Sequence, residues 1–135
     1  MGAWDGFNAA FSDSSPIYSQ IMELFNRSFA REEIKPGERL PSIRDMAVRL
    51  KVNANTMQRV YREMERSGLI ASRRGTGYYF TEDKGMAEKI SGDMAQNAVN
   101  KFLEEMRALG FTDNGILNIM RDRLEGGKEY AAVTD

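Results

Sequence analysis

The 135-residue sequence contains neither cysteine nor histidine, and each absence excludes a class of chemistry. Without cysteine there is no disulfide framework, no thiolate nucleophile and no cysteine-bound metal. Without histidine there is no imidazole-based catalytic triad, and most zinc sites are excluded because Asp and Glu alone hold zinc poorly. We therefore predict a protein that is not an enzyme and that uses no cofactor or metal.

Long hydrophobic runs are also missing. No apolar stretch approaches the roughly 20 residues that a membrane-spanning helix needs, and the chain does not open with a charged and then apolar leader. The lack of cysteine suits a reducing cytosol, so we expect a cytoplasmic protein. Hydrophobic residues make up 41% of the sequence and charged residues 29%, which is typical of one folded domain, or one small domain with an extension.

The chain as a whole has no excess of positive charge, but one segment of it does. The formal net charge is −1. Between Arg39 and Gly77, however, nine basic residues stand against three acidic ones, whereas residues 85–135 carry six against nine. The positive charge is thus concentrated where a polyanion could bind.

The first 31 residues predict an arm followed by a helix. Residues 1–14 place Trp4, Phe7 and Phe11 at helical spacing, but two glycines interrupt them, so we interpret the segment as a packing arm, with a DNA or ligand contact as the alternative. Ser15 is placed to cap a helix with Pro16 at its first position. Apolar residues then recur every three or four positions to about Arg31. They are Ile17, Ile21, Leu24, Phe25 and Phe29.

Two short helices separated by a few residues come next. Ser42 and Asp45 resemble a capping box at the start of the second helix. Asn53 is placed to cap the third helix, and Gly68 stands where a left-handed residue ends it. The predicted buried residues are Ile43, Met46, Ala47 and Leu50 in the second helix and Met57, Val60, Tyr61 and Met64 in the third.

The rest of the chain predicts a β-hairpin and two more helices. Two β-prone runs flank a basic tip, Arg73-Arg74-Gly75-Thr76, which is typical of a wing. A long helix follows from about Lys84 to Leu109 and ends at Gly110, and Thr112 is placed to cap a final helix that closes at residues 126 and 127.

Two closely spaced helices followed by a basic hairpin are typical of a protein that binds in a groove of DNA. The second helix of a helix-turn-helix fits the major groove, which is roughly 12 Å wide, and presents its N-terminal side chains to base edges. Asn53, Asn55 and Thr56 occupy that turn. Arg39 and Arg44 lie where the preceding helix would cross the phosphate backbone, and the hairpin tip would reach an adjacent groove.

The stretch from "PIYSQI" through "IKPGERLPSIRDMAVRLKVNANTMQRVYREMERSGLIASRRGTGYYF" resembles the winged-helix DNA-binding domain of the GntR family of bacterial transcription regulators. The "VNANT" turn, the "VYREMERSGLI" register and the short two-helix C-terminal region are similar to the YtrA-like subgroup. The resemblance implies a sequence-specific regulator, a repressor beside transporter genes in many cases, that binds a palindromic operator as a homodimer. It also implies a mainly α fold with a small β-hairpin, in which a winged helix-turn-helix domain precedes a C-terminal two-helix dimerisation region.

The resemblance further implies a set of contacts and a division of the chain. The implied DNA-binding residues are Arg39, Ser42, Arg44, Asn53, Asn55, Thr56, Arg59, Arg73, Arg74, Gly75, Thr76 and Gly77. The predicted divisions are an arm (1–14), a DNA-binding domain (15–82), a helical dimerisation region (83–126) and a tail (127–135). Ala54 departs from the pattern, because the subgroup commonly has proline there and other branches of the family often have a basic residue, so a base contact from this position is not expected.

The apolar stripe of the C-terminal helices admits three interpretations: an intramolecular core, a dimer seam or a pocket for an unknown small-molecule effector. Two helices of this size cannot enclose a core by themselves, so we predict a dimer seam. Its residues are Ile90, Met94, Ala98, Phe102, Met106, Leu109, Ile116 and Met120.

Two other functions remain alternatives to transcription regulation. A winged helix used as a protein-interaction module would not need basic residues on both the third helix and the hairpin. An enzyme would need a carboxylate pair or an activated lysine, and the acidic residues are scattered along the predicted helices.

Overall fold

The computed structural model describes Trp4 and residues 6–126 of the chain. Five helices and one hairpin follow each other in the predicted order. They are α1 (Ile17–Ala30), α2 (Ile43–Leu50), α3 (Ala54–Arg66), β1 (Ile70–Arg73), β2 (Gly77–Phe80), α4 (Lys84–Ala108) and α5 (Asp113–Glu125). The predicted fold class is confirmed. The predicted tail, residues 127–135, and Gly127 as a helix end lie outside the described residues.

The chain divides into two compact units, and the division falls inside α4, after Gly92. The first unit therefore continues beyond the domain boundary predicted after residue 82. The reason lies in the first turns of α4, where Met86, Ala87 and Ile90 pack against the hydrophobic core of this unit. Within the described residues, no helix is long and apolar enough to cross a membrane.

The core of the first unit is built from the apolar faces of α1, α2 and α3 together with the hairpin. The predicted inward residues of α3 are all buried, as are most of those of α1 and α2. Local signals fix the ends of these helices: Ser42 Oγ accepts a hydrogen bond from Asp45 N at 3.1 Å, and Asn53 Oδ1 accepts one from Asn55 N at 2.7 Å. Gly68 has a φ of 86°, so the predicted left-handed end of α3 is confirmed.

The start of α1 differs from the prediction in two respects. Ser15 does not cap the helix. Pro16 has a ψ of 144° and is itself the residue before the first helical one, with no side-chain cap, so Ser15 lies too far back to reach the first amides. Ile17 is 43% exposed rather than buried, because it stands in the first turn, at the edge of the core.

The aromatic residues of the N-terminal arm join the core: Trp4 belongs to it, and Phe7 and Phe11 pack against it. The Trp4 ring is buried and lies 4.9 Å from Phe7, 6.1 Å from Phe25 and 6.1 Å from Phe80, measured between ring centroids. The Trp4 indole N–H donates to the Arg39 carbonyl at 3.0 Å. The predicted packing role is therefore confirmed, and its partners are α1, β2 and the loop before α2.

The hairpin pairs antiparallel, with Ile70 opposite Phe80 and Arg73 opposite Gly77. The loop before α2 lies along the other edge of β2: Phe80 N donates to Glu38 O at 2.8 Å and Leu40 N donates to Tyr78 O at 2.9 Å. Both edges of β2 are thus hydrogen-bonded, so the base of the wing is held on two sides.

The second unit holds the rest of α4 and all of α5. As predicted, Thr112 caps α5, since its Oγ1 accepts from Gly115 N at 3.1 Å. Among the described residues of this unit only Gly115 and Ile116 are buried. Val99 is 49% exposed and Leu124 is 80% exposed, so much of the apolar surface of this unit faces outwards.

Val60 and Val48 provide a matched test of the core. Val60 in α3 is fully buried and Val48 in α2 is 73% exposed. We expect Val60→Ala to lower the free energy of unfolding by about 1.5–3 kcal/mol and Val48→Ala to change it by less than about 0.5 kcal/mol. Both changes remove the same carbon atoms from a helix, so the difference reports burial alone. Denaturant unfolding at equal protein concentration measures it; equal losses would contradict the packing of α3.

Tyr61 connects α3 to the residue before the α2 cap and provides a pH-dependent test. Its O–H donates to Pro41 O at 2.7 Å. Burial raises the pKa of Tyr61, and Tyr78 and Asp45 raise it further. We expect Tyr61→Phe to lower the free energy of unfolding by about 0.5–1.5 kcal/mol near neutral pH.

This difference should shrink at alkaline pH. The raised pKa favours the neutral phenol in the folded state, so its contribution is complete below the unfolded pKa of about 10 and is lost as the pH rises above it. The Tyr61→Phe variant has no phenol at this position, so its free energy of unfolding does not fall for this reason. Denaturant unfolding of both proteins near pH 7 and at about pH 10.5 measures the effect; a constant difference would show that Tyr61 ionises equally in both states.

Candidate nucleic-acid interface

The turn between α2 and α3 is three residues long and contains no glycine. Lys51 ends α2 with a φ of 57°, and its N–H donates to Val48 O. Val52 N donates to Ala47 O at 3.0 Å. A left-handed lysine costs on the order of 1 kcal/mol, and these two hydrogen bonds offset that cost. The turn therefore holds α3 directly beside α2.

The first turn of α3 is open to solvent. Asn55 is exposed and Thr56 is half-buried. Asn53 is exposed as well, but its carboxamide oxygen is engaged in the cap, which leaves its NH₂ group as the part that can donate to another partner. The apolar residues of α3 face the core, so the helix presents Asn55, Gln58 and Arg59 on its outer side.

The start of α2 adds one cap and one exposed charge. Ser42 is exposed, and its hydroxyl oxygen is engaged by Asp45 N. Arg44, in the first turn of α2, is also exposed. Because the helix N-terminus carries a partial positive charge, this end of α2 favours an anion such as a phosphate oxygen.

Arg39 lies between the arm and the wing. Its carbonyl accepts the Trp4 indole N–H, and its backbone forms an isolated antiparallel bridge with Tyr79. Its guanidinium passes over Gly77, where a Cβ would lie 3.3 Å from Nε. Gly77 also has a φ of 117°. The backbone angle thus favours glycine at a position that the sequence assigned to the wing contact, and a Cβ there would also crowd the Arg39 guanidinium.

The wing tip is exposed and basic. Arg73, Arg74, Gly75 and Thr76 are all exposed. Thr76 closes the turn, since its N–H donates to Arg73 O at 3.0 Å and its hydroxyl donates to the same oxygen at 3.2 Å. Thr76 therefore has a local structural role whether or not it contacts a ligand.

Four arginines form ion pairs among the described residues, and none of these four belongs to the predicted DNA-binding set. In the part of the chain that the structure describes, Arg27, Arg31, Arg66 and Arg107 each lie 2.7 to 3.4 Å from a carboxylate. Within that same part, none of the predicted DNA-binding arginines has a carboxylate partner. Those five are Arg39, Arg44, Arg59, Arg73 and Arg74. Their charge is therefore not neutralised by the described residues and can act on a phosphate.

Two arginines of this set lie over tyrosine rings that the sequence did not single out as functional. Arg59 Cζ is 3.6 Å from the centroid of the Tyr18 ring. Arg73 Cζ is 4.1 Å from that of Tyr79. Tyr18 belongs to the motif that carries the resemblance, but no pattern in the sequence links α1 to α3. Trp4 was likewise assigned to packing, with no indication that it would hold Arg39.

The predicted dimer residues have different surroundings. Ile90 packs against the core of the first unit, and Ile116 is buried within the second. Met94, Phe102 and Met106 are half-buried, and the remaining three are exposed. An open apolar groove of about 390 Å³ marks the face of the second unit. Its lining residues are Ala98, Val99, Phe102, Leu103, Ile119, Met120, Arg123 and Leu124.

Comparison with known proteins identifies the family to which the helix-turn-helix and its wing belong. Residues 17–80 match the family model described as bacterial regulatory proteins, gntR family. The chain is 38% identical over 117 residues to the HTH-type transcriptional regulator YhcF of Bacillus subtilis, covering 87% of this chain and 97% of that protein. It is 40% identical over 70 residues to the HTH-type transcriptional repressor YtrA of the same organism, covering 52% of this chain and 54% of that protein.

A solved structure of the same family is also similar to this chain. A GntR family transcriptional regulator from Listeria monocytogenes matches with a TM-score of 0.76 and 37% identity, covering 83% of this chain and 98% of that one. The members of this family regulate transcription and are not enzymes. From its winged helix-turn-helix and from these similarities, the chain belongs to the GntR family of bacterial transcriptional regulators, with its DNA-binding domain in the first unit.

Proposed function

We propose that the protein is a repressor that binds a palindromic operator as a homodimer. The observation that carries the proposal is the exposed first turn of α3, with Asn55 on its outer side, beside arginines that have no carboxylate partner in the described chain. The repressor role is supported by the name of the relative YtrA. The match to YhcF covers 87% of this chain and 97% of that protein, so it includes part of the second unit, which would form the dimer.

The side chains divide into those that position the protein and those that read bases. Arginines contact phosphates without regard to sequence, and Arg39, Arg44 and the wing arginines serve that role. An asparagine carboxamide can form two hydrogen bonds with adenine, and a threonine methyl can contact the methyl group of thymine. Asn55 and Thr56 therefore supply the base preference, and the wing adds contacts in a neighbouring groove.

The second unit supports the homodimer, because it leaves apolar surface exposed. Two helices leave Val99 and Leu124 exposed around an open apolar groove, and a second copy would bury such a surface. A two-fold dimer presents two α3 helices in opposite directions, so it requires half-sites about one helical turn apart or a multiple of that distance. A small-molecule effector in the groove is the alternative occupant.

Three variants test the division between phosphate and base contacts. We expect Arg44→Ala to weaken binding to operator and scrambled duplexes by similar factors and to lower the salt slope by about 1. We expect Asn55→Ala to cost about 1–3 kcal/mol on the operator and little on scrambled DNA. Fluorescence anisotropy over a range of salt concentrations measures both quantities.

Arg66→Ala is the matched control, because Arg66 stands at the opposite end of α3 and pairs with Glu63. It should leave affinity and salt slope unchanged. Equal losses on both duplexes for Asn55→Ala would remove this residue from base reading. A loss for Arg66→Ala as large as for Arg44→Ala would mean that the response reports net charge rather than a contact.

The dimer is tested by a pair of valine substitutions. Val99→Asp places a charge on the groove of the second unit, and Val48→Asp places the same charge on an exposed position of α2. We expect only Val99→Asp to produce monomers, with a dimer dissociation constant raised by about tenfold or more because a buried carboxylate is costly. Sedimentation velocity measures the oligomeric state. A wild-type monomer at micromolar concentration would refute the dimer and leave the groove to another occupant.

Selection of bound duplexes from a random pool supplies the operator for these measurements. We expect a palindrome whose two halves are related by the dimer axis. Transcription in vitro from a promoter that contains it should fall as the protein is added. A single unpaired half-site would contradict the symmetric mode of binding, and increased transcription would contradict repression.

A further inference from the structure

Tyr18 and Tyr79 come from different elements, yet each lies beneath an arginine of the predicted DNA-binding set. Tyr18 stands in the first turn of α1, and Arg59 lies over its ring from the second turn of α3. Tyr79 stands in β2, and Arg73 lies over its ring from the end of β1. Both tyrosines are half-buried, while both arginines are exposed. Each ring is therefore anchored in the protein, and each charge faces outwards.

The register of the hairpin explains the second pair. Arg73 is directly opposite Gly77, and Tyr79 is two residues further along β2 on the same face. Diagonal neighbours of this kind are within reach of long and aromatic side chains. Gly77 adds no side chain of its own between Arg73 and the tyrosine ring, and the Arg39 guanidinium passes over the same glycine.

Stacking on a ring suits an arginine that will later bind a phosphate or a base edge. The guanidinium is attracted through its face, whereas its N–H donors point outwards in its plane. A tyrosine therefore holds the group without using its donors or cancelling its charge, as a carboxylate would. An arginine that is already held loses less side-chain freedom on binding.

We propose that Tyr18 and Tyr79 are positioning residues that hold Arg59 and Arg73 in their DNA-binding orientation before the duplex arrives. The inference rests on the proposed function. It assigns a role in DNA binding to two residues that do not themselves need to contact DNA. It also predicts the direction of the change in affinity: removal of either ring should weaken DNA binding. If the stacking instead withdrew the arginines from the duplex, removal of the rings would strengthen binding.

A double-mutant cycle on the full chain and the selected operator duplex tests the Tyr18 pair. Tyr18 also packs against the core, so Leu is chosen to keep an apolar side chain. We expect Tyr18→Leu to weaken binding about two- to fivefold, which is the range for an exposed cation–π contact. Tyr18→Phe, which keeps the ring, should retain the wild-type affinity. In the Arg59→Ala background, Tyr18→Leu should have no further effect.

The same cycle applies to the wing, with Tyr79→Leu, Tyr79→Phe and Arg73→Ala. The stacking itself is measured without DNA, because a ring current moves the Arg59 Nε–H NMR signal upfield. That shift should disappear in Tyr18→Leu and persist in Tyr18→Phe. Far-UV circular dichroism and thermal unfolding confirm that each variant is folded under the conditions of the titration.

The outcomes separate this inference from the proposed function. If the wild type binds the duplex but Tyr18→Leu binds equally well or more tightly, or loses the same factor with and without Arg59, the positioning role is refuted. A wild-type ring-current shift of zero would refute the stacking. If the wild type binds no duplex at all, the proposed function fails and the positioning role fails with it.

Discussion

The burial of one face of α3 is the constraint on which the rest of the structure depends. Met57, Val60, Tyr61 and Met64 are almost completely removed from solvent, and this fixes the rotation of the helix about its axis. The polar residues between them must then point outwards. The surface that we propose reads DNA is thus a consequence of hydrophobic packing on the opposite side of the same helix.

The second constraint is the backbone around the base of the wing. The loop before α2 pairs with β2 on one side, while β1 pairs with it on the other. Trp4 adds a hydrogen bond to Arg39 from the arm. An aromatic residue far from the helix-turn-helix in sequence therefore holds the backbone at Arg39, the arginine to which we assign a phosphate contact. Packing and binding geometry share the same residues here.

The arginines that form ion pairs and the arginines that we propose bind DNA have different partners in the described chain. Arginines at the ends of α1, α3 and α4 meet carboxylates, and such exposed pairs contribute little to stability. Arg59 and Arg73 meet tyrosine rings instead. A ring holds the guanidinium but leaves its charge, so these two arginines stay positive in a chain whose formal net charge is −1.

The sequence by itself determined the features that depend on neighbouring residues. Ser42, Asn53 and Thr112 cap the helices they were expected to cap, because a cap needs only an oxygen two or three residues before an amide. The tertiary structure alone decided that Trp4 meets Arg39 and that Tyr18 lies beneath Arg59. These contacts join residues far apart along the chain, so periodicity and capping rules contain no information about them, and they exist only once the helices have packed.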